Sequence, residues 1–302
     1  MTRPSIPLLS LLLLASAAAA CHPGIREARR LQSACEAGDE QACNDFANRL
    51  ARGEHVLRDQ PRAAALFQQS CGAGVAQACV RLGGLYQDGD GVDADLARAR
   101  TLYRDGCEAG EMDGCTRLAL MYREGDGVAP DPVAAAELFQ RACDAEDVQG
   151  CAYIGALLAS GEGVARDPAQ AARLLARACD AEDPVGCSEL GRLYLTGSGV
   201  ERNVERAAEL LDTGCHSYEP EACYQLAGLY ARGEGVEQNY QQTARFYRRA
   251  CNDDHSAACY ELGLLYRQGA GVPRIPEAAT DYFDEACRLG HAGGCTERDR
   301  AQ

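Results

Sequence analysis

Sixteen of the seventeen cysteines follow a strict period, and this period constrains the fold more than any other feature of the chain. Eight of them recur every 36 residues from Cys35 to Cys287, and each is followed by a second cysteine eight residues later. Cys21 stands outside the pattern. A repeat of roughly 20 to 50 residues is typical of a solenoid or a similar array, whose units bury their apolar faces only by stacking. The period therefore predicts a repeat protein over residues 35–295.

The apolar residues within one period predict a pair of helices. The second cysteine of a pair is followed by a segment such as Leu82–Tyr86, whose apolar side chains fall on one side of a helix, helix A. Helix A is predicted to end at a Gly-x-Gly-Val turn such as Gly89–Val92. Helix B then begins after a capping residue such as Asp167, and small residues such as Gly83 and Ala171 would allow close helix packing. The predicted fold class is an all-α solenoid.

Each Cys-x7-Cys pair spans the joint between helix B of one unit and helix A of the next. A disulfide across so short a loop would contribute roughly 2–3 kcal/mol in chain-entropy models. A zinc site is the weaker interpretation, because structural zinc favours ligand gaps of about two to four residues and the histidines show no matching period. A redox site is weaker still, since no Cys-x-x-Cys occurs.

The N-terminal segment is typical of an export signal. The run Leu8–Ala20 is apolar apart from two serines and is too short to span a hydrocarbon core of roughly 30 Å. It ends Ala-Ala-Ala-Cys, which resembles a bacterial lipobox, although Ala18 stands where leucine is usual. Lipidation of Cys21 would explain the odd cysteine, and ordinary cleavage after Ala20 is the alternative. Because His22 rather than aspartate follows, analogy favours an outer-membrane lipoprotein facing the periplasm or cell surface, or otherwise a periplasmic or secreted protein.

We therefore expect four segments in the chain. They are a signal peptide at 1–20, an N-terminal capping helix at 21–42, seven 36-residue repeats at 43–287, and a C-terminal cap and tail at 288–302.

The net charge of −15 argues against two classes of partner. An acidic chain gains no counterion release from nucleic acid, and an anionic membrane surface would repel it for the same reason. We therefore expect a protein or peptide partner, no nucleic acid, and a membrane contact only through a lipid on Cys21.

Within helix A some positions vary from unit to unit. They lie one, two, five, eight and nine residues after the second cysteine, on a stripe predicted to face away from the packed side. Two residues after the cysteine the series begins with Asp45, and basic residues precede acidic ones along it. This series is either a track for a partner or a set of exposed positions free to drift. The candidate partner-binding residues are Arg81, Arg117, Tyr153, Glu189, Gln225 and Glu261.

The repeat resembles the SEL-1-like repeat family, relatives of tetratricopeptide repeats with a longer unit. The Leu-Gly-x-Leu-Tyr segment, the Gly-x-Gly-Val turn and the Ala-x-x-Leu-(Leu/Phe)-x-x-Ala stretch carry the resemblance, and the cysteine pairs are similar to those of the cysteine-rich bacterial branch, including the Helicobacter cysteine-rich proteins. The resemblance implies a right-handed α/α solenoid with helix A on the concave face, and protein–protein scaffolding as the common role. It also implies the disulfides Cys35–Cys43, Cys71–Cys79, Cys107–Cys115, Cys143–Cys151, Cys179–Cys187, Cys215–Cys223, Cys251–Cys259 and Cys287–Cys295.

Some members of that branch are labelled β-lactamases or penicillin-binding proteins, and this function is the alternative to a scaffold. Serine β-lactamases need a Ser-x-x-Lys motif, and the chain has no lysine. Metallo-β-lactamases need clustered histidines, and no two here are closer than 33 residues in sequence. We therefore expect no catalytic residues, no metal and no cofactor. A purely architectural role, as a lipid-tethered spacer, is a third possibility.

Overall fold

The computed structural model describes residues 22–217 and 219–301, and within them the regular secondary structure is α-helical. Odd-numbered helices below are B helices and even-numbered helices are A helices. In chain order they are α1 Pro23–Glu36, α2 Glu40–Arg52, α3 Gln60–Gly72, α4 Ala76–Asp88, α5 Leu96–Glu108, α6 Met112–Glu124, α7 Pro132–Asp144, α8 Val148–Ser160, α9 Pro168–Asp180, α10 Pro184–Thr196, α11 Val204–His216, α12 Pro220–Arg232, α13 Tyr240–Asn252, α14 Ser256–Gln268, α15 Pro276–Arg288 and α16 Ala292–Ala301. The predicted all-α solenoid class is confirmed.

The chain divides into two compact units, the first ending at Asp131 and the second beginning at Pro132. In the first unit, buried Phe46, Leu50, Phe67 and Leu82 form one core between successive helices. In the second unit, the C-terminal repeats share a core of the same kind, built mainly from leucine, alanine and the half-cystines. Each helix contributes only a few apolar residues, so every repeat depends on its neighbours for burial.

The helix boundaries follow from the residues predicted to set them. Gly89 adopts the left-handed conformation at φ 72° and ends α4, as glycines do at the end of the other A helices from α2 to α14. At the start of α9 the Asp167 carboxylate accepts a hydrogen bond from the backbone N–H of Gln170 at 2.9 Å. Asn203 and Asn239 cap two other B helices in the same way.

The cysteines of each joint are bonded as predicted. The first cysteine of a pair lies near the end of a B helix and the second in the first turn of the next A helix, with Cα atoms 4.4 Å apart for Cys143 and Cys151. The other described pairs have the same sequence separation of eight. The half-cystines are mostly buried, so the bonds belong to the core as well as to the joint.

Glycine is also required where neighbouring repeats touch. Gly199 is the second glycine of its turn, and a Cβ built there would lie 2.1 Å from the carbonyl oxygen of Pro168 at the start of the preceding B helix. Within an A helix, a Cβ on Gly83 would lie 2.7 Å from the ring of Tyr103. The spacing between helices is therefore set by the absence of side chains at these positions.

We predict that removing one disulfide by Cys143→Ser together with Cys151→Ser lowers the free energy of unfolding by about 2–3 kcal/mol, because the unfolded chain regains loop entropy. Urea unfolding under oxidising conditions measures the loss. With a strong reductant present, wild type and variant should unfold alike, which controls for other effects of the serines. Equal stability under oxidising conditions would contradict the prediction.

We predict that Gly199→Ala destabilises the fold by about 1–3 kcal/mol more than Gly110→Ala does. Both glycines have positive φ, 75° and 93°, but a Cβ on Gly110 meets nothing within 4 Å. The conformational cost is therefore shared, and the difference isolates the clash with Pro168. Thermal or urea unfolding of the two variants checks it, and similar losses would show that the close approach is unimportant.

Candidate functional site

The candidate binding residues lie at equivalent positions on successive A helices. Within each unit, we call the surface formed by the partly exposed side chains of the A helices the A-helix face. All six candidates are half-buried there. Two of them belong to the first unit and four to the second: Arg81 on α4, Arg117 on α6, Tyr153 on α8, Glu189 on α10, Gln225 on α12 and Glu261 on α14.

One part of the predicted stripe is wrong. The residue directly after the second cysteine was expected to face away from the packed side, but in the first five repeats it is buried. Asn44 is fully buried and donates from Nδ2 to Oε1 of Gln77 on the next A helix at 2.8 Å. This position therefore lies in the contact between adjacent A helices, and its variation reflects packing between repeats.

In the first unit the two candidate arginines differ in their surroundings. Arg117 pairs with Asp113 one turn earlier at 2.9 Å and lies over the ring of Tyr103 at 5.9 Å. Arg81 has no carboxylate partner among the described residues, and its Nε is buried without a hydrogen bond. The charge of Arg117 is balanced by an acid of its own helix, whereas no described carboxylate balances the charge of Arg81.

In the second unit the candidates at the N-terminal end contact neighbours. Tyr153 stacks on Phe139 with ring centroids 4.9 Å apart, which fixes the phenol against a B helix. Glu189 pairs with Arg192 of its own helix at 2.6 Å. Both side chains are therefore held in place before any partner arrives.

The last two candidates present polar groups that are partly desolvated. Gln225 donates from Nε2 to Glu221 at 2.7 Å. Burial raises the pKa of the Glu261 carboxyl above its ordinary value, against a smaller opposing effect of His291. At neutral pH, the ionised carboxylate of Glu261 therefore lowers the stability of the folded protein relative to a neutral side chain at the same position.

Sequence reasoning missed a contact between repeats that involves a histidine. His255 caps α14, with Nδ1 accepting from the backbone N–H of Ala258 at 3.1 Å. The proton therefore lies on Nε2, which donates to the Glu221 carboxylate at 3.0 Å, and the ring stacks on Tyr224 at 4.5 Å. This hydrogen bond lowers the pKa of the Glu221 carboxyl, against the opposing effect of burial. The capping role of His255 could have been predicted from the sequence, because Asp183 and other capping residues occupy the same repeat position.

The histidines at the N-terminal end are brought together by the fold. His22 and His55 are 33 residues apart in sequence, yet their ring centroids are 4.7 Å apart. Across residues 22–217 and 219–301, no three or more histidine, cysteine, aspartate or glutamate side chains are grouped as metal ligands would be.

The predicted lipidation residue, Cys21, lies outside the described residues, as does the predicted signal peptide at 1–20. Among the helices that are described, none combines the length and the apolar character needed to cross a bilayer.

Comparison with known proteins decides the family. A family model described as Sel1 repeat matches residues 41–75, 76–111, 113–147, 148–183, 184–215, 220–255 and 256–291. These seven matches cover most of the chain. The chain belongs to the Sel1 repeat family. Sel1 repeat proteins generally bind other proteins, and nothing in the comparisons supports the alternative of penicillin binding or β-lactamase activity.

Solved structures share the fold of this Sel1 repeat protein. It is 26% identical to c5321, a protective antigen of uropathogenic Escherichia coli strains that displays an SLR fold, with a TM-score of 0.66 over 90% of this chain. It spans 58% of the length of that protein. A Sel1 repeat protein from Oxalobacter formigenes is 22% identical, with a TM-score of 0.67 over 91% of this chain and 80% of that one.

Helicobacter pylori cysteine rich protein B is 26% identical to this Sel1 repeat protein over 43% of this chain and 94% of that one, with a TM-score of 0.36. No curated protein gives a significant match.

We predict that Glu261→Gln stabilises the protein at pH 7 by less than about 1 kcal/mol, since a half-exposed carboxylate remains partly hydrated. The folded-state pKa is raised, so the stability that the protonated acid contributes at low pH is lost as the pH rises through that pKa. The two proteins should therefore be equally stable near pH 4. Urea unfolding at both pH values tests this, with Glu137→Gln on an exposed turn of α7 as the control. A variant less stable than wild type at pH 7 would refute it.

Proposed function

We propose that this Sel1 repeat protein is an exported binding scaffold whose A-helix face captures a protein or peptide partner. The observation that carries the proposal is a contrast between two sets of positions. One set is the same in most repeats, and we call it the frame; the other is the A-helix face. The frame repeats the same disulfides, turn glycines and leucines, while the six half-buried candidates on the face are two arginines, a tyrosine, two glutamates and a glutamine. Repetition of the frame with variation of one surface is the arrangement by which solenoids present extended binding surfaces.

The disulfides support export. Sixteen of the seventeen cysteines are bonded, and disulfides persist in oxidising compartments but are rare in the cytosol. We therefore place the protein outside the cytoplasm. The apolar run before Cys21 and the odd cysteine count support a lipid anchor on Cys21, which would tether the scaffold to the outer membrane with its first repeat nearest the bilayer.

A rigid face lowers the entropic cost of binding. The candidates in the second unit are held by neighbours, as in the stack of Tyr153 on Phe139 and the pairing of Glu189 with Arg192. Side chains fixed before binding lose little further freedom when a partner arrives. The scaffold interpretation requires no chemistry beyond contact, and partner identity then follows from the order of side chains along the face.

We predict that the double variant Arg81→Glu, Arg117→Glu reduces partner capture at least tenfold, because it removes the unpaired cation of Arg81 and places two new negative charges where acidic groups of the partner would bind. Capture is measured in intact cells by photo-cross-linking from a reactive residue introduced at Gln225, followed by mass spectrometry. The same reactive residue at Glu137, on a B helix, should not capture the partner that is captured from Gln225.

A double variant with the same change of charge on B helices, Arg104→Glu with Arg173→Glu, is the matched control and should capture as wild type does. Cys21→Ser in the same cells should release the protein from the membrane fraction while leaving disulfides intact. Cross-linking that is equally strong from Glu137, or absent from Gln225, would favour a spacer and contradict the scaffold.

A further inference from the structure

The first repeat departs from the others at one position of helix A. Six residues after the second cysteine, the later repeats carry leucine or methionine, as at Leu85 and Met121. The first repeat carries Arg49 instead. In the repeats after the second, this residue is buried, whereas Arg49 is half-exposed. A polar residue at this position is expected only where the surface of the terminal repeat is open to solvent. The residues around Arg49 therefore show whether it has a further role.

Arg49 lines a cavity of about 330 Å³ on the first unit. The cavity lies between α1, α2 and α4, where Leu31 forms part of its wall and Arg81 reaches it from the second repeat. Asn48, Arg52 and Gln77 complete the polar lining together with three carboxylates. Arginine side chains of two repeats, Arg49 and Arg81, therefore line one concavity, at the end of the chain that would lie nearest the membrane.

The carboxylates that border the cavity are already engaged. Glu27 lies 3.6 Å from Arg30, and Glu54 lies 3.4 Å from Arg52. Asp45 accepts hydrogen bonds from two side-chain amides of its own helix, at 3.2 and 3.3 Å. These acids are therefore held in local pairs and do not neutralise the remaining arginines.

Arg49 and Arg81 stand apart from the other arginines of the A-helix face. Within residues 22–217 and 219–301 neither has a carboxylate oxygen within 4.0 Å, and the Nε of Arg81 is buried with no hydrogen-bond partner. Arg117 and Arg192, by contrast, each pair with an acid of their own helix. Neither guanidinium group is balanced by a nearby acid, and a carboxylate is the acceptor whose two oxygens match the guanidinium fork.

We propose that the cavity binds a carboxylate of an acidic peptide, held by the guanidinium groups of Arg49 and Arg81. A phosphate dianion is the poorer fit, because both of its charges must lie within the cavity beside Glu27, Asp45 and Glu54, whereas the other carboxylates of an extended peptide can lie outside it. Gln77 uses its oxygen to accept from Asn44, which leaves its NH2 group free to donate to the same ligand. The inference rests on the proposed function and names the partner chemistry for its N-terminal end.

Fluorescence anisotropy with synthetic probes tests the site on the purified full-length mature protein. The first probe is a fluorescein-labelled ten-residue peptide of alternating serine and glutamate with an amidated C-terminus. The second replaces glutamate by glutamine and carries a free C-terminal carboxylate, so the two probes separate side-chain from terminal carboxylates. A third, with glutamine and an amidated end, carries no carboxylate. We expect one or both of the first two to bind, and the third to bind at least tenfold more weakly.

Two variants remove the proposed contacts. Arg49→Leu installs the residue that other repeats use at this position, and Arg81→Gln keeps a polar side chain. Each should weaken probe binding about tenfold or more, the effect of losing one charge-assisted hydrogen bond. Arg192→Gln, which removes a paired arginine from an A helix of the second unit, should leave binding unchanged. Circular dichroism and unfolding curves establish that the variants are folded.

Several results would overturn the inference. They are failure of every probe to bind wild type, equal binding by the probe without carboxylates, unchanged binding by both arginine variants, or displacement by inorganic phosphate at lower concentration than by the unlabelled peptides. The proposed function is judged separately by cross-linking from Gln225 in the second unit. A partner cross-linked there, with probe binding insensitive to Arg49 and Arg81, would leave the scaffold standing and remove this site alone.

Discussion

The covalent bond across each joint is the constraint on which the rest of the structure depends. Each repeat has few large apolar side chains, and alanine and glycine occupy many of its contact positions, so burial alone gives each interface a modest free energy. A disulfide between the end of one B helix and the start of the next A helix, as at Cys143 and Cys151, restricts the unfolded chain at the place where two hairpins must meet. Small residues can then serve as spacers without loss of the fold.

The glycine turns show how the frame tolerates an exception. In the second repeat, Gly91 approaches Gln60 at the start of the preceding B helix so closely that a Cβ would lie 2.5 Å from its backbone. In the first repeat the equivalent residue is His55, in the left-handed conformation at φ 60°. The preceding helix, α1, has Gly24 at the contact, where a Cβ would lie 2.1 Å from the imidazole ring. The small residue has moved to the other side of the interface, so the irregular turn and the irregular helix compensate one another.

The sequence was sufficient to predict the helices, but it was not sufficient to predict which side chains pair between them. Helix ends followed from local features, such as the capping Asp167 and the turn glycine Gly89, whose effects depend only on nearby backbone. The burial of Asn44 did not follow, because the residue that covers it, Gln77, belongs to the next repeat. Hydrogen bonds such as His255 to Glu221 join residues 34 apart and depend on the offset between adjacent A helices, which periodicity alone does not specify.

The same distinction applies to charge on the A-helix face. Periodicity placed Arg81 and Arg117 on one track as equivalent cations, yet only Arg117 has an acid one turn away to satisfy it. A charge neutralised within its own helix contributes little to a partner, since binding must first replace the interaction already made. An arginine without such an acid has more to gain from a ligand. The binding capacity of such a face therefore depends on which charges the frame leaves unmatched, and counting charges along the track does not reveal it.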